Sequence, residues 1–347
     1  MTQRRSVLFL LLAAPLLLVD EATAATRRRK TVPRAPARFD LDRADIRAFA
    51  AHAATRTGMT EDAVLSLLAQ AEPQASILEA MSRPAESVLP WWQYRERFLT
   101  HARIEGGLNF WERHVDLLTT VEQARGVPAE YLVAILGVET HYGRVLGRYR
   151  VLDALATLGF DHPARGAYFR SELEEFLLLA NEDGLDPLST KGSYAGAMGA
   201  PQFMPSSVRR FAVDSDGKGR RDLWQDWRDV FSSIANYFVM QGWKTGEPVL
   251  ADASHEGEAD DPMVFKLLLA DSLGAIRARG YGVDSTQDDS APALLVPAEQ
   301  RDSLSWRVGF NNFYVITRYN RSPRYAMAVH DLATALRAGR EPVDSPT

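Results

Sequence analysis

From Phe39 onward the apolar positions recur mostly at helical spacing. "ADIRAFAAHAATR" has that period, and "TEDAVLSLLAQA" opens on a Thr cap with acids in its first turn, a helix-start signature. In "FWERHVDLLTTVEQAR" the residues Trp111, Val115 and Leu118 share one face, and Gly126 supplies the stop. Pro128 suits the opening of a further helix, which holds the unbroken apolar run Tyr131 to Val138 and then Glu139. "RSELEEFLLLANE" and "WRDVFSSIANYFVMQGW" predict two more helices. Strand signals are few, the best being the partial alternation of "WRVGFNNFYVITRYN". "DASHEGEADDP" (Asp252–Pro262) and "STQDDSAP" predict surface loops, and there is no internal repeat. The expected class is mainly α (α+β), many helices with a small β element.

A carboxylate at the end of an apolar run needs a reason. Burying an unpaired charge is costly, so such a group is paired, protonated or functional. On the residues alone, a helix-end salt bridge from Glu139 to His141 or Arg144 is the commoner explanation. A second unusual block is "LSTKGSYAGAMGAPQFMPSS" (Leu188–Ser207), which interleaves Gly192, Gly196 and Gly199 with three alanines, Ser193, Gln202, Phe203 and Met204. Small residues admit either a neighbouring backbone or a ligand. Tight packing and a ligand cleft explain the spacing equally well.

Composition narrows the classes. The chain has 347 residues, 46% hydrophobic and 24% charged, which is ordinary globular usage. It has no cysteine, which excludes disulfides, thiolate chemistry, Cys-bound zinc and lipid attachment through an N-terminal cysteine. "MTQRR", an apolar stretch to Val19 and the small-x-small site Ala22–Ala24 form the pattern of a secretory signal peptide over 1–24, cleaved after Ala24 or Ala25. The apolar stretch is short for a membrane span. Sec and twin-arginine export both remain open. Residues 25–38 form a basic linker with two prolines and six cations. It reads as a flexible linker, or as an electrostatic tether to an anionic surface. The four charges of 1–24 cancel and the linker carries +6, so a net of −5 leaves −11 on residues 39–347. That argues against nucleic acid as a partner.

"AILGVETHYGRVLGRYRVLDALATLGFDHPARGAYFRSELEEFLLL", then "GSYAGAMGAPQFMPSSVRRFAVD" and "IANYFVMQGW", resemble the B-type membrane-bound lytic murein transglycosylases. The likeness runs from about Phe39 to "RYNRSPRYAMAVHDLA". It implies a lysozyme-like catalytic core (about 111–250) after a helical part (about 39–110) and before a C-terminal part with the small β element (about 251–347). It implies peptidoglycan glycan strands as the partner; the signal peptide and the lack of cysteine make a periplasmic protein that is not a lipoprotein the expectation. A monomer is expected, and association with cell-wall synthesis or division proteins is left open. Glu139 corresponds to the family's single catalytic acid/base. Ser193, Gln202, Phe203 and Met204 match its glycan cleft, and Tyr168 and Tyr237 its substrate-contacting tyrosines. Tyr319 and Asn320 match the segment bordering the acid/base, and Tyr94 an outer cleft position. Each also has a plainer reading. Tyr168 and Tyr237 would be core residues, Ser193 a cap, Gln202 a local backbone partner and Asn320 a turn former.

The resemblance implies cleavage without water. Glu139 would protonate the leaving oxygen, then take the proton of the sugar's 6-hydroxyl as that oxygen closes a 1,6-anhydro ring. The apolar run on one side is expected to raise the pKa of Glu139. A hydrolytic muramidase would need a second carboxylate about 5–9.5 Å away. Asp153 and Asp161 are candidates but lie outside the cleft motifs. A silent peptidoglycan-binding scaffold is the remaining alternative. No cofactor is expected. Some family members carry a calcium loop after "FAVD"; here Asp214 and Asp216 take positions one and three, Lys218 takes position five and Asp229 falls one residue late, so any site there would be weak.

Overall fold

The computed structural model describes residues 38–82, 89–255 and 267–340. The expected signal peptide and all but the last residue of the linker lie outside the described residues. Helices α1 (Ala44–Thr57) and α2 (Glu61–Gln70) follow the first two predicted patterns. The Thr60 hydroxyl accepts the Ala63 N–H, with Glu61 and Asp62 in the first turn of α2 where the helix dipole favours acids. After α3 (Ala75–Ser82) and α4 (Trp91–Glu96) the next pattern is split at His114 into α5 (His101–Arg113) and α6 (Val115–Arg125). Gly126 ends α6 at φ +67°, and Pro128 leads into α7 (Ala129–Thr140). All twelve residues of α7 are buried, Glu139 among them. A helix apolar all round is a core helix rather than an amphipathic surface one.

Strand β1 (Tyr149–Arg150) precedes α8 (Val151–Asp161) and α9 (Gly166–Asp183), and pairs with β2 (Lys191–Gly192) in antiparallel register. Then come α10 (Pro205–Phe211) and α11 (Trp227–Met240). The C-terminal part holds β3 (Leu250–His255), β4 (Asp271–Ser272), α12 (Leu273–Ala278), β5 (Tyr281–Val283), β6 (Pro292–Glu299) and β7 (Leu304–Gly309). It ends with α13 (Asn311–Tyr319) and α14 (Pro323–Ala338). The strands form an antiparallel sheet in the order β4-β6-β7-β3-β5.

Two local expectations change. "WRVGFNNFYVITRYN" is strand only to Gly309; Asn311 starts a helix. Phe313, Ile316 and Tyr319, all buried, repeat at helical spacing inside the apparent alternation. Buried Asn312 fixes the switch, donating to the Lys244 and Glu247 carbonyls and accepting the Lys244 N–H. In "DASHEGEADDP" the first four residues, Asp252–His255, belong to β3.

The described chain divides into two compact units, each built from separate stretches of sequence. One takes 38–82 and 143–233. Its centre is α8, buried from Val151 to Phe160, against which α9 and α3 pack. The other takes 89–142, 234–255 and 267–340. Here α14 packs along α7, with α5 and α6 also on α7. A separate cluster, with Leu273, Ile276, Tyr281, Trp306, Val308 and Phe310, fills the space between α12 and the sheet.

Candidate active site

Glu139 sits in the last turn of α7 and is 9% exposed. The Tyr325 hydroxyl, on the first turn of α14, donates to Glu139 Oε1 at 2.6 Å. Ser322 places that tyrosine, its hydroxyl accepting the Tyr325 N–H as the cap of α14, with Pro323 at the first helical position. Burial, and then the neighbouring Glu139 charge, push the Tyr325 phenol well up; the same two causes act on Tyr319. Both phenols therefore keep their protons, and that of Tyr325 serves Glu139 as a donor.

The aromatic surroundings are continuous. Tyr319 stacks on Tyr325 with ring centres 6.3 Å apart, and Tyr237 lies 4.9 Å from Tyr319. The Tyr237 hydroxyl donates to the Arg318 carbonyl at 2.5 Å. Asn320, 1% exposed, ends α13 in extended backbone. Tyr94 is wholly buried beside Trp91 and Phe98. In this structure it is a core residue rather than an outer-cleft one, because α4 and α14 pack together over it. Tyr325 had no place among the sequence candidates. It lies in the quoted C-terminal segment, but its partner is 186 residues away.

The glycine-rich block forms an irregular loop in the other unit. It is neither helix nor long strand, and is tied by the bridges Gly192–Met198 and Met198–Phe203. Ser193 does not cap a helix; its hydroxyl accepts the Ala195 and Ala197 N–H groups and closes a turn. At Gly196, φ +84°, an added Cβ would stand 2.4 Å from Leu155, so both conformation and space require glycine. Gln202 takes φ +53°, and its side-chain amide donates to the Gly199 and Leu146 carbonyls. A non-glycine residue held left-handed is strained, and such strain concentrates at functional sites. Phe203 and Met204 are 2% and 4% exposed, backing the loop. Tyr168 is half-buried under the Arg165 guanidinium, 4.9 Å from its ring, and bonds to Glu172. Glu172 is itself buried, which pushes its carboxyl up, and accepts the Ser206 N–H and hydroxyl at the start of α10.

The aspartates that would turn the chemistry towards hydrolysis are both engaged. Asp153 takes two bonds from Arg150 and the Glu72 N–H; Asp161 pairs with Arg43 at 2.8 Å. In the Asp214–Asp229 loop the oxygens face inward. Asp214 accepts the Lys218 and Gly219 N–H groups, and Asp229, 1% exposed, those of Ser215 and Asp222. The Lys218 ammonium lies 2.5 Å from Asp216. A cation thus stands at the loop's fifth position, where calcium loops place a ligand oxygen. Among the described residues no group of three or more His, Asp or Glu is arranged to hold a metal ion.

The fold is mainly helical with a small antiparallel sheet, and its class is lysozyme-like. The chain matches the family "Transglycosylase SLT domain" over residues 42–334 and belongs to it. It is 41% identical over 293 residues to membrane-bound lytic murein transglycosylase B of Escherichia coli (strain K12), covering 82% of this chain and 80% of the relative. The soluble lytic transglycosylase SltB1 of Pseudomonas aeruginosa is 46% identical, with a TM-score of 0.80 over 85% of this chain and 98% of that one. SltB3 of the same organism, solved with NAG-anhNAM-pentapeptide, is 28% identical with a TM-score of 0.72 over 86% and 81%. The chain is thus a lytic murein transglycosylase, an enzyme acting on peptidoglycan.

Proposed function

We propose that this enzyme cleaves the β-1,4 bond between N-acetylmuramic acid and N-acetylglucosamine, with Glu139 as first acid and then base, and leaves a 1,6-anhydro end. The observation that carries this is the 2.6 Å bond from Tyr325 to Glu139 Oε1. It anchors Oε1 and so holds the carboxyl group in place for proton transfer to the leaving oxygen. Once that proton has gone, the same hydroxyl stabilises the carboxylate. Glu139 then takes the proton of the 6-hydroxyl while the 6-oxygen bonds to the anomeric carbon. The substrate's own N-acetyl group takes the part of the second carboxylate. The ring tethers the 6-hydroxyl beside the reacting carbon, giving it an effective concentration above that of a diffusing water. The arginine pairs on Asp153 and Asp161 support this reading over the hydrolytic one. The anhydro fragment in the SltB3 complex accords with it for a relative.

Ser193, Gln202, Phe203 and Met204 bind the glycan in this reading, with Tyr168 and Tyr237 as further sugar contacts and Tyr319 and Asn320 holding the acid/base. Replacing Glu139 with Gln keeps the shape but removes the proton. Loss of acid–base help costs about 10²–10⁴-fold in rate. Near wild-type turnover of a folded Glu139→Gln enzyme contradicts the assignment.

The loop from Asp214 to Asp229 works without calcium in this reading, with Lys218 supplying the positive charge. A chelator then leaves the melting temperature unchanged, whereas a drop of several degrees reverses the reading. The enzyme acts in the periplasm after cleavage at Ala24 or Ala25, which N-terminal sequencing of exported protein checks. Among the described residues no helix is long and apolar enough to cross a membrane.

A further inference from the structure

The catalytic reading leaves the turn after Glu139 unexplained. His141, Tyr142 and Gly143 all have positive φ, at 51°, 62° and 78°. Left-handed backbone costs an L-residue with a Cβ about 1–2 kcal/mol, so two in a row need a compensating contact. Tyr142 provides it. Its N–H returns to the Leu136 carbonyl at 2.9 Å, closing the helix end. Its side chain, 5% exposed, folds back against α5, stacking on Phe110 with ring centres 5.6 Å apart. Its hydroxyl donates to the Arg103 carbonyl at 2.8 Å.

The receiving surface is shaped for that ring. A Cβ on Gly107 would stand 2.5 Å from the Tyr142 hydroxyl oxygen, and one on Gly137 would stand 2.8 Å from it. Arg103 grips the helix a second time, since its guanidinium donates to the Gly137 carbonyl, two residues before Glu139. That carbonyl is among the last four of α7, which have no partner within the helix. A cation there also suits the negative end of the helix dipole.

We infer that Arg103 and Tyr142 form a clasp that positions Glu139 by locking the final turn of α7. Helix ends fray, and the last turn is where a catalytic carboxylate is least constrained. The clasp ties that turn to α5 through two independent hydrogen bonds and a stacked ring. Tyr142 is a positioning residue, acting on the reaction through the helix that carries Glu139. The inference rests on Glu139 as the acid/base.

The test compares wild type with Tyr142→Phe, Arg103→Met and Glu139→Gln on a soluble glycan oligomer, reading kcat and KM separately and melting temperature alongside. Tyr142→Phe removes the hydroxyl bond; Arg103→Met removes the guanidinium bond together with the cation–π contact to Phe98. Small misplacement of a catalytic group costs up to about a hundredfold. The clasp predicts kcat lower by about tenfold or more in both variants, with KM within about twofold of wild type. If Tyr142→Phe does not fold, Arg103→Met carries the same comparison. Unchanged kcat per folded molecule with only a lowered melting temperature overturns the clasp, as does a loss carried in KM. An inactive Glu139→Gln beside fully active clasp variants overturns the clasp alone; an active Glu139→Gln overturns the acid/base reading as well.

Discussion

Tyr325 shows how a single hydroxyl shapes the chemistry of Glu139. It is a donor that burial keeps protonated, and it bonds Glu139 at Oε1. Hydrogen bonds to charged groups contribute about 1.5–3 kcal/mol. Tyr325→Phe therefore lowers kcat by about tenfold or more. Without that donor the carboxylate is less favoured, so the limb of the pH–rate profile that Glu139 governs moves to higher pH. A wild-type profile for this variant contradicts a role for the Tyr325 hydroxyl in the chemistry of Glu139. Glu139 stood out in the sequence as a carboxylate closing an apolar run, but the pattern alone favoured a helix-end salt bridge, and only the resemblance pointed to an acid/base. Ser193 and Gln202 stood out in a block of small residues whose spacing suits packing and a cleft equally, so there too only the resemblance pointed to a glycan cleft. Tyr325 did not stand out, because its meaning depends on a partner 186 residues away. Tyr94 was misread as an outer position, since an aromatic in "WWQYR" carries no sign of which side of α4 is covered.

At the level of elements, the pairing of α7 with α14 matters most. Tyr325 meets Glu139 at one end, and the Tyr131 hydroxyl meets His330 Nδ1 at 2.9 Å further along. Burial pushes His330 down to about 4; Asp331 opposes that shift and Arg307 adds to it. A histidine at its ordinary value of about 6.5 in the unfolded chain takes up a proton more readily there than in the fold. Its contribution is complete above pH about 6.5 and is lost as pH falls towards 4. The melting temperature should decline over that window. His330→Gln keeps a hydrogen-bonding group without the titration and should flatten the decline, and an unaltered decline would assign it to other groups. Most helices were readable from period and caps, as at Thr60 and Gly126. The strand–helix switch at Asn311 was not, because Phe313, Ile316 and Tyr319 satisfy a helical period within a stretch that also alternates. Only the tertiary bonds of Asn312 decide between them.

Across the molecule, the chain returns twice to complete units begun earlier, so residues 38–82 join 143–233 and residues 89–142 join 234 onward. Periodicity is local and carries no trace of that. What the sequence did carry was the class, through long ordered motifs, and membership of the transglycosylase SLT domain family follows from matches spanning most of the chain. The central claim is that one carboxylate performs both proton transfers and that the 6-hydroxyl, rather than water, attacks the anomeric carbon. Mass analysis of the muropeptides released from purified sacculi tests it most directly. The account predicts products ending in 1,6-anhydro-N-acetylmuramic acid, one water molecule lighter than hydrolytic products, and none released by Glu139→Gln. Products ending mainly in reducing N-acetylmuramic acid would contradict it.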